Sequence, residues 1–163
     1  MSGGTTIGQV LVEAAERWPD RIAVSFPDGE RTYGQLADAA RRTARGLHAL
    51  GVRPGEHVGV LMPNGPELVD AIFGVALAGG VLCPLNARYR ATELTHVVAR
   101  AEHVALLTSD AIVDHVDYVP ILHEALPGLA ETGLSKQAPA LRDVVLLGER
   151  RAPGTRSGAE LEA

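Results

Sequence analysis

The sequence predicts an α/β fold in which a mainly parallel β-sheet is covered by helices on both faces. Apolar residues with helical spacing alternate along the chain with short apolar runs that are typical of strands. Those runs, for example residues 81–85 and 104–107, are continuously apolar, as expected of parallel strands buried on both faces. The helical segments between them are long enough for the crossovers that parallel strands require.

Composition limits the class of protein. The chain has 163 residues, enough for one domain with a sizeable core. Apolar residues make up 46% and charged residues 21%, which is typical of a globular protein rather than a disordered one. The net charge of −5 argues against a nucleic-acid partner, because that function needs a basic surface. Lys136 is the only lysine, so any lysine-dependent reaction step has a single candidate.

The sequence carries no signal for export or membrane insertion. Cys83 is the only cysteine, so an internal disulfide is impossible and a reducing compartment is the simpler interpretation. Residues 1–6 lack the basic start and apolar core of a signal peptide. The longest apolar stretch, residues 71–85, is short for a bilayer and contains glycine and proline. We therefore expect a cytoplasmic protein without a transmembrane segment.

The first elements are an amphipathic helix and a hairpin. Residues 7–18 predict the helix, which Pro19 ends and Thr5 or Thr6 caps. Its apolar stripe consists of Ile7, Val10, Leu11, Ala14, Ala15 and Trp18. Residues 22–26 predict a strand, and the turn Pro27–Asp28–Gly29 returns the chain as a second strand.

The middle of the chain predicts two helices, each followed by a strand. One helix begins near Tyr33 and is ended by Gly51, and a strand follows at residues 57–62. Residues 67–78 predict a helix that is apolar nearly all round and therefore buried on more than one side. Two glycines end it before the strand at 81–85.

The second half continues the alternation. Residues 94–101 predict a helix, and residues 104–108 the next strand. Apolar residues at 112, 116, 119 and 122 predict a further helix that Pro120 should bend or end. Residues 141–147 predict a last strand, whereas residues 127–139 receive no assignment.

The composition changes near residue 148. Residues 149–163 are polar and rich in arginine, glycine and proline, which is typical of a linker or an exposed tail. We therefore predict an α/β domain over residues 1–148 and a polar linker or exposed tail over residues 149–163.

No residue pattern assigns a catalytic residue or a metal ligand. The glycine-rich residues 2–6 follow no strand and precede no lysine, so they do not predict a phosphate-binding loop. His115 lies among three aspartates, Asp110, Asp114 and Asp117, which we interpret as a solvated helix face rather than a metal site. Cys83 has no matched histidine and is interpreted as a small core residue.

Three segments, in order, resemble the superfamily of AMP-forming acyl-CoA synthetases, luciferases and adenylation domains. Residues 15–24 are similar to its opening helix and strand, and residues 31–36 to the Thr-Tyr box that begins its second helix. Residues 76–89 are the most specific, because Gly79–Gly80 is followed by Pro84–Leu85–Asn86. The resemblance implies a partial N-terminal subdomain of the AMP-binding ligase fold. Within the superfamily, the last segment looks more like acyl- or aryl-CoA ligases than peptide-synthetase domains.

The resemblance also implies a reaction and its cofactors. Such ligases use ATP, Mg²⁺ and CoA to convert a carboxylic acid to an acyl-adenylate and then to a thioester. The family's phosphate loop, metal ligands and catalytic lysine are not matched here, so no catalytic residue and no tightly bound cofactor are expected. Asn86 and Arg88 match a loop that lies near CoA in some relatives, which makes them candidate CoA contacts. A salt bridge at a helix entry is the alternative for Arg88.

One position departs from the family pattern. Arg90 stands where relatives often have threonine, a better residue for capping the helix that follows, so we expect that helix to lose about 1 kcal/mol.

Two functional hypotheses follow from the resemblance. In the first, the chain is the N-terminal portion of an AMP-forming acyl- or aryl-CoA ligase of the kind used in fatty acid metabolism, and is inactive by itself. Its partners are then the remainder of the ligase and a carboxylic acid. In the second, it is a naturally short, non-catalytic scaffold or partner module. Either way, we expect an uncovered apolar face through which the chain can self-associate.

Overall fold

The computed structural model describes residues 5–27, 29–110, 112 and 114–162. In chain order the elements are α1 (Ile7–Arg17), β1 (Ile22–Phe26), β2 (Gly29–Thr32), α2 (Tyr33–Ala49), β3 (His57–Leu61), α3 (Pro66–Leu77), β4 (Val81–Pro84), α4 (Ala91–Arg100), β5 (Ala105–Ser109), α5 (Tyr118–Ala125), α6 (Leu129–Thr132), β6 (Asp143–Leu147), β7 (Arg156–Ser157) and α7 (Gly158–Glu162). β1 and β2 form an antiparallel hairpin, and β3 to β7 form one sheet.

The five-stranded sheet has the order β4-β3-β5-β6-β7. β3 lies between β4 and β5, so that Val58 is paired with Leu82 on one side and with Ala105 on the other. The chain therefore adds β4 beside β3, crosses back through α4 and continues outward from β5. All pairings in this sheet are parallel, which confirms the predicted fold class.

Helices cover both faces of the sheet, as two consecutive residues of β5 demonstrate. Leu107 belongs to a core shared with residues of α2, α3 and α7. Leu106 belongs to a second core shared with residues of α4 and α5. Both leucines are fully buried. Burial on both faces explains why the strand sequences are apolar at successive positions.

α1 and α2 begin with the same capping arrangement. The Thr6 side chain accepts the N–H of Gln9 at 3.2 Å, and the Gln9 side chain accepts the N–H of Thr6 at 2.8 Å. Thr32 and Gln35 form the matching pair at the start of α2. The predicted capping by Thr6 is confirmed. The predicted turn residue Asp28 and the glycine-rich residues 2–4 lie outside the described residues.

Only part of the predicted apolar stripe of α1 is buried. Leu11 and Ala15 pack in a core with residues of α2. Ile7, Val10 and Trp18 instead form an outer stripe, with exposed fractions of 64%, 54% and 40%. The stripe is wider than the surface that α2 and α3 offer, because α1 rests on them from one side only.

α3 is enclosed on several sides, as its apolar circumference predicts. It contacts α1, α2, β2, β3 and β4. Gly74 of α3 lies against Thr43 of α2 so closely that a side chain at this position would overlap it. Within the part of the chain that the structure describes, no helix is both long and apolar enough to span a bilayer.

The prediction of a helix through residues 112, 116, 119 and 122 is wrong at its start. α5 begins at Tyr118, after Asp117 accepts the N–H of Val119 at 3.1 Å as its cap. Pro120 neither bends nor ends α5, because it occupies the first turn, where its missing N–H would have no helical partner. Residues 127–139, left without assignment, contain the single turn of α6.

The C-terminal segment has more structure than a polar linker or exposed tail. Arg156 and Ser157 pair with Val145 and Leu146 as a fifth parallel strand. Leu161 of α7 is buried against α2, directly over Gly46. The polar composition hides this arrangement, since the pairing of β7 is made by the backbone and Leu161 is the buried apolar residue that packs α7 on α2. Residues 149–155 run over the surface as turns without helix or strand.

Candidate functional site

The strand order places a candidate site at the carboxyl ends of β3 and β5. The chain leaves β3 toward β4 on one side, whereas β5 and the strands after it lie on the other side. In open parallel sheets, ligands bind in the crevice where the order reverses in this way. β3 leads here into the turn before α3, and β5 ends here at Thr108 and Ser109.

Polar side chains tie this edge of the sheet together. The Ser109 hydroxyl donates a hydrogen bond to the carboxylate of Glu67 in the first turn of α3. The Thr108 hydroxyl donates to the carbonyl of Leu61 at 2.8 Å. Ser109 is only 3% exposed, so a substrate in solution cannot reach its hydroxyl. This serine–carboxylate pair therefore positions α3 and is not built as a nucleophile and base.

A second network closes the outer part of the same edge. The Arg150 N–H donates to Asp110 at 2.9 Å, and the Arg150 guanidinium donates to Asp117 at 2.6 Å. Gly148 has φ 104° and lies against the Asp110 carboxylate, where a larger residue would overlap it. Asp110 and Asp117 thus bind Arg150 and do not form the acidic helix face expected from the sequence. Within the described ranges, no three His, Cys, Asp or Glu side chains are grouped to hold a metal ion.

A charged cleft lies between α2 and α3. Two adjoining cavities of about 280 Å³ each share Ala39, Arg42 and Asp70 as lining residues. The Asp70 carboxylate lies 3.7 Å from Arg31 of β2, and its other oxygen is buried without a hydrogen-bond partner. Burial raises the pKa of Asp70 to about 6, although the positive charges of Arg31 and Arg42 act in the opposite direction.

The candidate CoA contacts lie in the loop after β4, at the edge of the sheet. Asn86 accepts the N–H of Arg88 at 3.0 Å through its side chain and the N–H of Tyr89 at 2.9 Å through its carbonyl. Both Asn86 and Arg88 are exposed. Among the described residues, no carboxylate lies at ion-pair distance from Arg88. Arg88 therefore does not form a salt bridge at the entry of α4, its alternative role, with any described residue.

Cys83 is less enclosed than a core residue. It lies in the edge strand β4, half-buried, with its thiol 3.7 Å from the carbonyl of Val81. Burial raises the pKa of this thiol, which keeps it protonated near neutral pH. A protonated thiol is a poor nucleophile, so this position does not supply a catalytic group.

The sequence indicates some of these features and conceals others. Polar residues at the end of an apolar strand, Thr108 to Asp110, are a signal for the switch-point edge that the sequence interpretation left unused. The partners of Ser109 and Asp70 lie 42 and 39 residues away, on other elements, so only the fold brings them together.

The sequence of the chain is similar to those of known proteins. The family described as AMP-binding enzyme matches residues 11–155. The salicyl-AMP ligase/salicyl-S-ArCP synthetase of Mycobacterium tuberculosis is 34% identical over 151 residues, which are 90% of this chain and 25% of that protein. The phosphinothricin tripeptide synthetase PhsC of Streptomyces viridochromogenes is 42% identical over 107 residues, 66% of this chain and 10% of that protein.

Solved structures carry the same fold. The anthranilate CoA ligase AuaEII, crystallised with anthranoyl-AMP, superposes with a TM-score of 0.80 over 96% of this chain and 27% of its own, at 22% identity. The chain thus spans about a quarter or less of the length of these relatives.

Proposed function

Because the chain belongs to the AMP-binding enzyme family, we propose that it is the N-terminal portion of an ATP-dependent, AMP-forming acyl- or aryl-CoA ligase. The observations that carry this proposal are the family match over residues 11–155 and the similarity to a quarter of a much longer ligase. The parallel sheet with its switch point between β3 and β5 fits the same role, since it is a scaffold on which further residues can complete a site.

The proposed parent reaction has two steps. A carboxylate oxygen attacks the α-phosphorus of ATP, which forms the acyl-adenylate and releases pyrophosphate. The thiol of CoA then attacks the acyl carbon, which forms the thioester and releases AMP and a proton. The first step depends on charges positioned around the phosphates.

The described residues do not fit the ATP and Mg²⁺ part of this chemistry. The carboxylates at the switch-point edge bind Ser109 and Arg150 instead of converging on a common point. Lys136 is the only lysine, and no glycine-rich phosphate loop precedes it. We therefore infer that the nucleotide is held by residues outside this chain and that residues 1–163 alone do not form an adenylate.

The loop after β4 fits a role in the second step. Arg88 presents an exposed guanidinium, without a carboxylate among the described residues, on a turn that Asn86 holds in shape. A guanidinium of this kind matches the geometry of a phosphate group. Under the proposal, Arg88 contacts a phosphate of CoA and Asn86 orients the turn.

The alternative is a non-catalytic module that binds a copy of itself or a longer ligase. The outer stripe, Ile7 and Val10 on α1 and Trp18 directly after it, favours it, because these apolar side chains are exposed. Sedimentation of the protein and of Val10→Asp tests this association: loss of a dimer in the variant supports association through α1.

The proposed function is tested first by sequencing the gene beyond codon 163 and then by assaying the full-length product. The reading frame after codon 163 should encode a Ser/Thr/Gly-rich loop ending in Pro-Lys-Gly within about 30 residues. The full-length product should catalyse pyrophosphate exchange into ATP that depends on a carboxylic acid. A stop codon directly after Ala163, or a full-length product that is folded and inactive with every acid tested, would support the scaffold alternative instead.

A further inference from the structure

An open groove lies between α6 and the loop that leads to β6. It has a volume of about 730 Å³, which is within the usual range for small-molecule sites. Its apolar lining comes from Pro127, Leu134, Pro139 and Leu141. Leu134 is 56% exposed, so its side chain adds apolar surface to the wall of the groove. Leu141 lies just before β6, so the groove opens near the amino end of that strand, away from the switch-point edge.

The walls of the groove are shaped by hydrogen bonds within the chain. Gly128 and Gly133, with φ of 92° and 73°, allow the chain to turn sharply at both ends of α6. The Thr132 hydroxyl donates to the carbonyl of Gly128 at 2.9 Å and accepts the N–H of Leu134 at 3.3 Å. The Leu141 N–H donates to the carbonyl of Ala138 at 3.0 Å. The groove is thus formed before any ligand arrives, which lowers the entropic cost of binding.

The charge at the groove is positive in a protein whose net charge is negative. Lys136 is the only charged residue among those that line the groove. Its side chain is exposed, and no described carboxylate lies at ion-pair distance from it. The net charge of the chain is −5, so a free ammonium beside an apolar surface is a distinctive combination here. It is complementary to an anion attached to an apolar body.

We propose that this groove binds an amphipathic monocarboxylate. The apolar chain lies against Leu134 and Leu141, and the carboxylate accepts hydrogen bonds from the Lys136 ammonium. Binding is non-covalent and requires no nucleotide, so the proposal does not depend on the adenylating activity of a parent enzyme. The site lies apart from the Asn86–Arg88 loop in sequence and in its lining residues.

Decanoate is the probe, titrated into the ¹⁵N-labelled purified protein and followed by amide chemical shifts. Saturable shifts should be confined to residues 127–141. Affinity should rise about twofold for each methylene added between hexanoate and decanoate, because an open groove buries each one only partly. Decanol, which has the same chain but no charge, should bind more weakly.

Two variants distinguish the contribution of the Lys136 charge to binding from that of the apolar surface. Lys136→Met keeps a long apolar stem and removes the charge, and should weaken decanoate binding about fivefold while leaving decanol unchanged. Leu134→Ser should weaken both ligands about fivefold. Ile7→Ser is the matched control, because Ile7 is as exposed as Leu134 but lies on α1, and it should change neither.

Three outcomes would overturn the proposal. Equal affinity for decanoate in the wild type and in Lys136→Met, no saturable shifts at all, or shifts centred on Ile7 and Val10 would each contradict it. Spectra of the variants without ligand establish that each is folded, so a loss of binding cannot be ascribed to unfolding.

Discussion

The carboxylate of Asp70 on α3 and the guanidinium of Arg31 on β2 face each other across 3.7 Å, too far for a hydrogen bond. The pair links the hairpin to the helices, but its acidic partner has one buried oxygen without a donor. Burial therefore outweighs the attraction of Arg31 and raises the pKa of Asp70 from 3.8 to about 6.

A pH-dependent stability difference should result. A raised pKa means that the contribution of Asp70 to stability is fully present below pH 3.8 and is lost as the pH rises through about 6. Asp70→Asn removes that loss. The gain in its free energy of unfolding over that of the wild type should therefore be about 2 kcal/mol larger at pH 8 than at pH 4, so the variant is relatively more stable at high pH. Urea unfolding at the two pH values measures the difference.

The control for this prediction is Asp38→Asn. It makes the same chemical change at a side chain that is 67% exposed and paired with Arg41. Asp38 lies at the rim of the same cleft but is not buried, so an equal pH-dependent gain in both variants would contradict the effect ascribed to the burial of Asp70.

The docking of α7 on α2 can be tested at Gly46. A methyl group here would overlap the carbonyl and side chain of Leu161. Gly46→Ala should therefore displace α7 and lower the free energy of unfolding by about 2 kcal/mol, even though alanine favours a helix. Hydrogen exchange should become faster in residues 158–161 of this variant.

Leu161→Ala provides the complementary change, because it removes the docking side chain and leaves α2 untouched. Both variants should speed exchange in the same segment. Unchanged exchange in both would mean that residues 158–161 do not pack on α2 in solution.

A stabilising substitution is expected at the start of α4. Arg90 has the extended backbone of an N-cap residue, but its side chain supplies no cap, and only Glu93 accepts the Arg90 N–H, at 3.1 Å. Arg90→Thr should complete a capping box and raise the free energy of unfolding by about 1 kcal/mol. Urea denaturation measures the gain.

Thr32→Ala is the reciprocal experiment, since it removes an intact box at the start of α2. It should lower stability by about 1 kcal/mol. No gain from Arg90→Thr alongside a clear loss from Thr32→Ala would show that Glu93 alone already suffices at α4.

The proposed contact between Arg88 and CoA can be tested in the full-length ligase. In the full-length enzyme, Arg88→Ala should raise the KM for CoA about tenfold, because a charge-assisted contact to phosphate is lost. Pyrophosphate exchange, which does not involve CoA, should be unchanged. Arg90→Ala is the matched control two residues away, and should leave both values unaltered. An equal effect of the two substitutions would make the assignment of Arg88 untenable.

The sequence predicts β3 to β6 of the parallel sheet well, because each of these strands has apolar residues at successive positions. It predicts α1 only in part. Leu11 and Ile7 belong to the same stripe by spacing, and only the packing of α1 on α2 decides that one is buried and the other exposed.

Short elements and long-range pairs escape prediction for physical reasons. β7 has two residues, Arg156 and Ser157, and no apolar pattern marks a strand whose pairing is made by the backbone. Asp70 and Arg31 are far apart in sequence, as are Ser109 and Glu67, so their contacts depend on the order of strands and helices. The assignment of Asn86 and Arg88 to CoA remains a prediction.

Under the proposed function, this chain supplies the sheet of an adenylate-forming ligase but not the groups that perform the chemistry. Acid-dependent exchange of labelled pyrophosphate into ATP by purified residues 1–163 tests it most directly, with a panel of aliphatic and aromatic acids and Mg²⁺. We expect no exchange above that of a blank without protein. Exchange that requires both the acid and the 163-residue protein would contradict it.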